Sequence, residues 1–170
     1  VEIPLIIGGK KVTTKQQGQC VMPHDHKHVL GNFHMAGENE VSEAIESSML
    51  AWKTWSKTSL KERTKIFRKA AELLKGPWRD TINAATMLNQ SKNAFQAEID
   101  AACELIDFFN FNCQYAEDIH NNQPLISPEG VKNSLEYRPL EGFVFAITPF
   151  NFTSIAGNLP CAPALMGNVA

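Results

Sequence analysis

An asparagine stands at a position of this sequence where its amide could act on a carbonyl oxygen. The residues from Phe143 to Ile147 are all apolar, and a Thr-Pro-Phe-Asn sequence that ends at Asn151 follows them. An unbroken apolar run of this length is typical of a strand that is buried on both faces, as in a parallel sheet. In α/β folds, ligands bind beyond the carboxyl ends of such strands. The sequence therefore predicts that Asn151 lies at a binding site.

The side chain of Asn151 supports two interpretations. Its amide N–H groups can stabilise negative charge that develops on an oxygen atom, which is the task of an oxyanion hole. Asparagine is equally suited to capping a helix, and the apolar stretch from Phe152 to Met166 predicts a helix directly after it. The residues alone leave these two interpretations open.

A carboxylate and three aromatic side chains share one face of the longest predicted helix. Glu104, Phe108, Phe111 and Tyr115 are four, three and four residues apart, a spacing that aligns them along a helix. The ordinary interpretation is helix packing with an exposed glutamate, because charged side chains mostly remain in solvent. The alternative is that the row forms one wall of a substrate passage.

Histidine and cysteine patterns give little support to a metal site. In an extended segment His24, His26 and His28 would lie on one side, an arrangement that a metal site can use. No pattern of cysteine or glutamate accompanies them, so a solvent-exposed loop is the simpler interpretation and we predict no metal. The four cysteines, at positions 20, 103, 113 and 161, are irregularly spaced, which favours reduced thiols over disulfides.

Charge and composition limit the possible partners. The 16 basic and 18 acidic residues are mixed along the chain, so nothing indicates a nucleic acid or an anionic membrane as partner. No apolar run approaches the roughly 20 residues that a membrane-spanning helix needs, and the first residues lack the features of a signal peptide. The common glycine-rich nucleotide motifs and the serine hydrolase motif are absent.

The elements that would position these residues begin with a hairpin and four helices. Gly8-Gly9 lies between two short runs and predicts a two-residue hairpin turn. Apolar residues at helical spacing then predict four helices. They run from Glu38 to Trp55, from the Ser59 capping box to Gly76-Pro77, from Pro77 to Leu88, and from Ala94 to Asp118.

Two strands and a fifth helix complete the predicted order. Val131 to Tyr137 alternates enough to be a strand, and the run from Phe143 to Ile147 would be a second, buried one. We therefore predict an α/β protein in three parts. Residues 1–130 would form the hairpin and helices, 131–141 a separate strand, and 142–170 a strand, a helix and the start of another strand.

Several separated stretches agree with a known family in order and spacing. They are Glu141-Gly-Phe-Val-Phe-Ala-Ile-Thr-Pro-Phe-Asn-Phe-Thr153, then Gly157-Asn-Leu, then Ala162-Pro-Ala-Leu-Met-Gly-Asn-Val169. Together they resemble the aldehyde dehydrogenase superfamily around its P-W-N-F element. Phe150 replaces the tryptophan of this element, and Thr153 replaces the usual proline. This version of the element is similar to that of the branch that oxidises glutamate γ-semialdehyde. The stretches 96–109 and 136–142 are similar to the same branch.

The resemblance implies a fold and a reaction. The fold would be aldehyde dehydrogenase-like, with the N-terminal hairpin and helices leading into a Rossmann-like parallel sheet that binds NAD. The reaction would be NAD-dependent oxidation of glutamate γ-semialdehyde (1-pyrroline-5-carboxylate) to glutamate in proline catabolism. The alternatives are an aldehyde dehydrogenase for a different aldehyde and a non-catalytic module that binds the cofactor or a partner.

The resemblance also implies roles for individual residues. Asn151 would be the oxyanion donor of the reaction. Contacts to NAD would come from four residues, Ile147, Thr148, Pro149 and Phe150. The substrate channel would be lined by Glu104, Phe108, Phe152, Ile155 and Leu159.

Assembly, completeness and location are further implications of the resemblance. Residues 131–141 would belong to the arm that pairs subunits, so a homodimer or larger homo-oligomer is expected. The family's cysteine nucleophile, general-base glutamate and cofactor-contacting lysine would lie beyond Ala170. These 170 residues are therefore expected to be an N-terminal portion that is inactive alone. The expected compartment is the mitochondrial matrix for a eukaryotic source and the cytoplasm for a bacterial one.

Overall fold

The structure is a computed structural model that describes residues 1–170. Its regular structure consists of five strands and seven helical segments. The strands are β1 (Glu2–Ile3), β2 (Leu5–Ile7), β3 (Lys10–Val12), β4 (Gln17–Met22) and β5 (Asp25–His34). The helices are α1 (Glu38–Trp55), α2 (Leu60–Lys75), α3 (Arg79–Gln90), α4 (Ala94–Ala97), a π-helical segment (Glu98–Cys103), α5 (Glu104–Asn121) and α6 (Thr153–Leu165).

Two hairpins occupy the N-terminal part. β2 and β3 pair antiparallel around Gly8 and Gly9, whose φ angles of 56° and 76° suit a two-residue turn, so the predicted hairpin is confirmed. The second hairpin, β4 with β5, was not predicted from the sequence. It extends into a three-stranded sheet of order β1-β5-β4, in which β1 runs parallel to β5. The first residues of β5 are charged or histidine and exposed, so they lack the apolar alternation that marks a strand.

The first three helices follow the predicted pattern closely. α1 has the predicted bounds, and the Ser59 hydroxyl accepts a hydrogen bond from the Glu62 N–H at the start of α2. α2 ends before Gly76, as predicted, whereas α3 begins at Arg79, two residues after the predicted start at Pro77.

The predicted long helix is present but contains a π-helical segment. α4, the π-helical segment and α5 follow one another without a break from Ala94 to Asn121. Three alanines at 97, 101 and 102 are fully buried there. Apolar periodicity predicted the helix but not the extra residue in this turn, because the pattern averages over the whole element.

The core lies where α2, α5 and α6 meet. Its seven residues, which we call the helical core, are Phe67, Ala71, Leu105, Phe109, Cys113, Ala116 and Leu165. The rings of Phe67 and Phe109 are 5.7 Å apart between centroids and tilted by 59°. The buried Arg63 guanidinium donates from Nε to the Leu165 carbonyl at 2.7 Å, which joins α2 to the end of α6.

Both strands predicted for the region after α5 are absent from the structure. Residues 131–137 and 143–147 form no ladder, so these two predictions were wrong for this chain as it folds here. A strand needs a neighbouring segment that supplies several backbone hydrogen bonds. Residues 143–147 form only one backbone hydrogen bond to a distant segment, from the Val144 N–H to the Val169 carbonyl at 2.8 Å, which is too few for a ladder. The strand predicted to start at Val169 is absent for the same reason.

The predicted fifth helix is confirmed as α6, and its end is tied to the residues before it. Buried Asn168 accepts a hydrogen bond from the Leu140 N–H at 2.7 Å and donates one to the Pro163 carbonyl at 3.0 Å. The indole N–H of Trp55 donates to the Ala164 carbonyl at 2.9 Å. None of the helices combines the length and the apolar character needed to cross a bilayer.

Candidate active site

Asn151 lies in an exposed turn directly before α6. The N-cap of α6 is Phe152, whose backbone is extended, and no side chain caps the helix. The capping role that the sequence left open for Asn151 is therefore wrong. The side-chain amide of Asn151 forms no hydrogen bond within the chain, so both of its N–H groups are free to bind an oxygen atom of a ligand.

Buried hydroxyl groups attach the first turn of α6 to α3. The Thr153 hydroxyl is 2.8 Å from the hydroxyl of buried Thr86, and the Gln90 side-chain amide donates to Thr153 at the same distance. These contacts replace the missing side-chain cap as the means of fixing the start of α6. The position of Asn151 is thus set by tertiary contacts and not by local capping.

Glu104 lies against the same turn of α6. The hydroxyl of Ser154, which is completely buried, donates to the Glu104 carboxylate at 2.8 Å. Glu104 is half-buried, so the interpretation of an exposed surface glutamate is wrong. Further along, the Asn112 side-chain amide donates to the side-chain oxygen of Asn158 at 2.9 Å, a second polar contact between α5 and α6.

The aromatic row predicted on α5 divides into two parts. Phe108 is half-buried near Glu104, whereas Phe111 and Tyr115 are more than half exposed and stack on each other at 6.2 Å. Only the Glu104 end of the row faces α6. The half-buried Phe152 and Ile155 and the more exposed Leu159 belong to α6 or its cap, so the five predicted channel residues lie on two packed helices.

The four residues predicted to contact a cofactor lie in the extended segment before Asn151. Ile147, Thr148 and Phe150 are exposed, Pro149 is half-buried, and none forms a backbone hydrogen bond with another residue. Phe150 is 94% exposed, which is unusual for so large an apolar side chain. The segment therefore offers free backbone donors and acceptors beside apolar surface, a combination that suits binding of an organic cofactor.

A lysine that the sequence did not single out holds the turn. The ammonium of Lys92 donates to the Asn151 carbonyl at 2.8 Å, forms an ion pair with Asp100 at 2.5 Å, and lies 4.6 Å from the centroid of the Phe152 ring. Its position in the short Ser91-Lys92-Asn93 break between α3 and α4 indicated only a loop. No local signal could identify partners 8 and 59 residues away.

The thiols do not combine into a reactive centre. Burial raises the pKa of the Cys103, Cys113 and Cys161 thiols, and the neighbouring Glu98 carboxylate contributes to the rise at Cys103. A raised pKa lowers the thiolate fraction at neutral pH and so the nucleophilicity. These three thiols are suited to packing and not to attack on an aldehyde.

The histidines occupy the second hairpin and do not converge. His24 lies in the turn between β4 and β5, where its Nδ1 is 2.7 Å from the Ser91 hydroxyl, and His26 and His28 are exposed on β5. No three histidine, cysteine or acidic side chains are arranged to hold a metal ion. His34 is buried, and a hydrogen bond with Glu2 at 2.8 Å raises its pKa.

Fold and site together define the class of protein. A mixed α/β fold presents a free asparagine amide at the start of a helix, beside exposed backbone and the hydrogen bond between Ser154 and Glu104. The sequence matches the model of the aldehyde dehydrogenase family over residues 11–170. The chain therefore belongs to the aldehyde dehydrogenase family.

Comparison with individual relatives shows which members of the family this chain is similar to. The chain is 51% identical over 169 residues to a protein of Schizosaccharomyces pombe named probable delta-1-pyrroline-5-carboxylate dehydrogenase, covering 99% of this chain and 31% of the relative. It is 48% identical to the human delta-1-pyrroline-5-carboxylate dehydrogenase, named mitochondrial, covering 98% of this chain and 30% of that protein. The chain thus spans about 30% of the length of the curated relatives it matches.

A solved structure agrees with the fold. The crystal structure of the Delta-pyrroline-5-carboxylate dehydrogenase from Mycobacterium tuberculosis bound with NAD superposes with a TM-score of 0.96 at 52% identity. The superposition covers 98% of this chain and 31% of that one. The predicted aldehyde dehydrogenase-like α/β fold is therefore confirmed for these residues.

Proposed function

We propose that the full-length protein containing this chain oxidises glutamate γ-semialdehyde, the open form of 1-pyrroline-5-carboxylate, to glutamate with NAD. The observation that carries the proposal is the free amide of Asn151 in the turn before α6. The substrate and the cofactor come from the names of relatives about half identical to this chain, one of which was solved with NAD. Such oxidation would serve proline catabolism.

Asn151 is the residue to which we assign transition-state stabilisation. When a nucleophile adds to an aldehyde carbon, negative charge develops on the carbonyl oxygen and needs hydrogen-bond donors. The two free N–H groups of Asn151 can supply them, because no residue of the chain competes for the amide. We assign the nucleophile to none of the thiols at 103, 113 and 161, because their pKa values are raised.

NAD fits the segment from Ile147 to Phe150. Its apolar rings would cover exposed side chains, and its polar groups would meet backbone N–H and C=O groups that have no partner in the chain. When bound, NAD accepts the hydride that leaves the substrate carbon. The chain's own contribution is to orient that carbon through Asn151 and to exclude water with apolar residues of α5 and α6.

We assign the substrate passage to the Glu104 end of α5 and the first turns of α6. The half-buried side chains of Phe108, Phe152 and Ile155, together with Leu159, supply its apolar walls. Ser154 fixes the Glu104 carboxylate within 2.8 Å of its hydroxyl, so this charge has a defined position beside the passage. A fixed carboxylate favours the end of a substrate that carries an amino or iminium group.

Assembly and location complete the proposal. A homodimer or larger homo-oligomer would cover the exposed residues 131–141, to which we assign the subunit-pairing arm. A eukaryotic source would place the protein in the mitochondrial matrix, since the human relative is named mitochondrial. A bacterial source would place it in the cytoplasm.

The test is steady-state oxidation by the full-length protein, followed as NADH formation. We expect activity with 1-pyrroline-5-carboxylate to exceed that with short aliphatic aldehydes, and Asn151→Ala to lower kcat by about a hundredfold or more while NAD affinity is kept. Asn110→Ala, an exposed residue of α5, is the matched control and should leave kcat unchanged. Equal turnover of Asn151→Ala and the unmodified protein would refute the oxyanion assignment.

Glu104→Ala tests the assignment of the passage separately. The substitution should change the apparent KM for 1-pyrroline-5-carboxylate and leave NAD binding alone, since Glu104 lies on α5 and not in the segment before Asn151. Glu72→Ala, which removes an exposed carboxylate from α2, is the control. Unchanged kinetics for Glu104→Ala would return Glu104 to a purely structural role.

A further inference from the structure

We propose that Lys92 is a positioning residue for Asn151, holding in place the turn from which the Asn151 amide projects. The inference rests on the proposed function, in which that amide is the oxyanion donor. It concerns how the donor is fixed, which neither the sequence pattern nor the family resemblance addressed.

The geometry gives Lys92 three partners around one charged atom. Its Nζ is 2.8 Å from the Asn151 carbonyl oxygen, 2.5 Å from Asp100 Oδ2 and 4.6 Å from the centroid of the Phe152 ring. An ammonium has three N–H donors, so it can bond to both oxygen atoms and still interact with the face of the ring. Ser91, at a left-handed φ of 53°, ends α3 immediately before Lys92 and turns the chain towards the site.

The ammonium of Lys92 is largely shielded from solvent. The side chain of Lys92 is 15% exposed and that of Asp100 is 21% exposed, so neither is a fully solvated surface charge. Asp100 belongs to the π-helical segment, which is anchored by the buried residues Ala101 and Ala102. Exposed ion pairs contribute little, but a pair shielded from solvent with further contacts is more strongly constrained.

The contacts of Thr153 with Thr86 and Gln90 fix the start of α6, but they do not reach the two residues before it. Neither Phe150 nor Asn151 forms a backbone–backbone hydrogen bond, and Phe150 extends into solvent without packing. The first backbone bond of α6 begins one residue later, at the Phe152 carbonyl. The bond from Lys92 is therefore the only hydrogen bond that fixes the peptide carrying Asn151.

Such a bond matters because catalytic donors tolerate little displacement. A functional group must be held within about 0.5 Å of its productive position, and an error of about 1 Å can cost about a hundredfold in rate. Lys92 acts through Asn151 in this scheme and does not touch the substrate. Its removal should therefore lower turnover only while the Asn151 amide is present.

The experiment uses the full-length protein with Lys92→Met, which keeps the length of the side chain and removes its charge and donors. We expect kcat to fall about tenfold or more, with NAD affinity changed less than about twofold. Lys92→Arg, which can still donate to the Asn151 carbonyl, should recover part of the loss. Lys69→Met, on the exposed face of α2, is the matched control and should behave as the unmodified protein.

A double-mutant cycle decides whether Lys92 acts through Asn151. In the Asn151→Ala background, Lys92→Met should cause no further loss of kcat, because the group it positions is already absent. The same fold-loss in both backgrounds would overturn the proposal. If Lys92→Met does not fold, Asp100→Asn replaces it, since it weakens the hold on Lys92 without deleting the lysine, and the same comparison applies.

Hydrogen exchange separates this proposal from the proposed function. Peptides covering residues 154–158, which contain the first hydrogen-bonded amides of α6, should exchange faster in Lys92→Met than in Lys69→Met, whatever reaction the protein catalyses. Inactivity of the unmodified protein with every aldehyde, combined with faster exchange, would reject the function and keep the positioning role. Unchanged exchange at residues 154–158 would reject the positioning role by itself.

Discussion

The helical core and the extended stretch from Asn122 to Phe150 both contain large apolar side chains but differ in how far these side chains are buried. Phe109 in the helical core is 7% exposed and lies against Phe67, whereas Phe145 in the extended stretch is 78% exposed. Helices form their hydrogen bonds within one segment, so α2 and α5 need only an apolar face to pack. Strands depend on a neighbouring chain segment, which the extended stretch does not find among these residues.

Side-chain hydrogen bonds hold the extended stretch in place of the backbone hydrogen bonds that a neighbouring strand would form. The Gln123 amide donates to the Leu135 carbonyl at 3.2 Å, and its carbonyl oxygen accepts from the Leu135 N–H at 2.8 Å. One glutamine thus bonds both backbone groups of a residue, as a neighbouring strand would. The Tyr137 hydroxyl donates to the Asn122 carbonyl, and the Tyr137 ring lies 5.1 Å from the ring of His120.

The largest difference in the free energy of unfolding should appear between Phe109→Ala and Phe145→Ala in the 170-residue chain. Phe109→Ala opens a cavity in the helical core and should lower the free energy of unfolding by about 3–5 kcal/mol. Phe145→Ala removes an exposed ring and should change it by less than about 0.5 kcal/mol. Urea denaturation measures both values.

Repeating the pair in the full-length protein sharpens the comparison. A cost for Phe145→Ala that approaches the cost for Phe109→Ala would show that the extended stretch gains packing partners from residues outside this chain. A large cost for Phe145→Ala already in the 170-residue chain would contradict the contrast between the two regions.

A smaller effect is expected from Gln123→Ala. The substitution removes both hydrogen bonds to Leu135 and one to the His120 carbonyl at the end of α5, and should lower the free energy of unfolding by about 0.5–1.5 kcal/mol. Peptides covering residues 131–137 should exchange their amide hydrogens faster, with no change in α2. Gln114→Ala, which loses only a side-chain bond to Asp118 within α5, is the control. Equal protection of residues 131–137 in both variants would show that the stretch is held by other contacts.

The smallest effect concerns pH and the helical region. The hydrogen bond from Arg79 lowers the pKa of Glu98, with a smaller contribution from the Asn83 amide. A carboxylate whose folded pKa is depressed stabilises the fold above its unfolded pKa, near 4.5, and this stabilisation disappears as the pH falls through the folded pKa. Glu98→Gln should therefore reduce the loss of stability between neutral and acidic pH.

Thermal denaturation at several pH values measures this slope. Glu129→Gln, in the exposed turn of the extended stretch, is the control and should leave the slope unchanged. An identical slope in Glu98→Gln and the unmodified chain would show that the pair with Arg79 adds no pH dependence.

Sequence patterns predicted the helices well because their signals are local. The Ser59 capping box, the Gly76 stop and the apolar spacing of α1 each lie within a few residues of the feature they specify. The position of Asn151 beyond an apolar run also indicated a candidate site, and the resemblance of its segment to a family gave that residue a role to test. The hairpin of β4 and β5 was missed because its outer residues are histidine and charged.

By itself, the sequence determined the helices, the first hairpin, the family and the turn that carries Asn151. Only the tertiary structure decided that Asn151 does not cap α6, that Ser154 holds Glu104, and that Lys92 reaches the Asn151 carbonyl. It also left the predicted strands unpaired. The physical reason is the separation of the interacting residues along the sequence. Helix propensity and capping act over one or two turns, whereas strand pairing and the contacts of a buried charge join residues that only folding brings together.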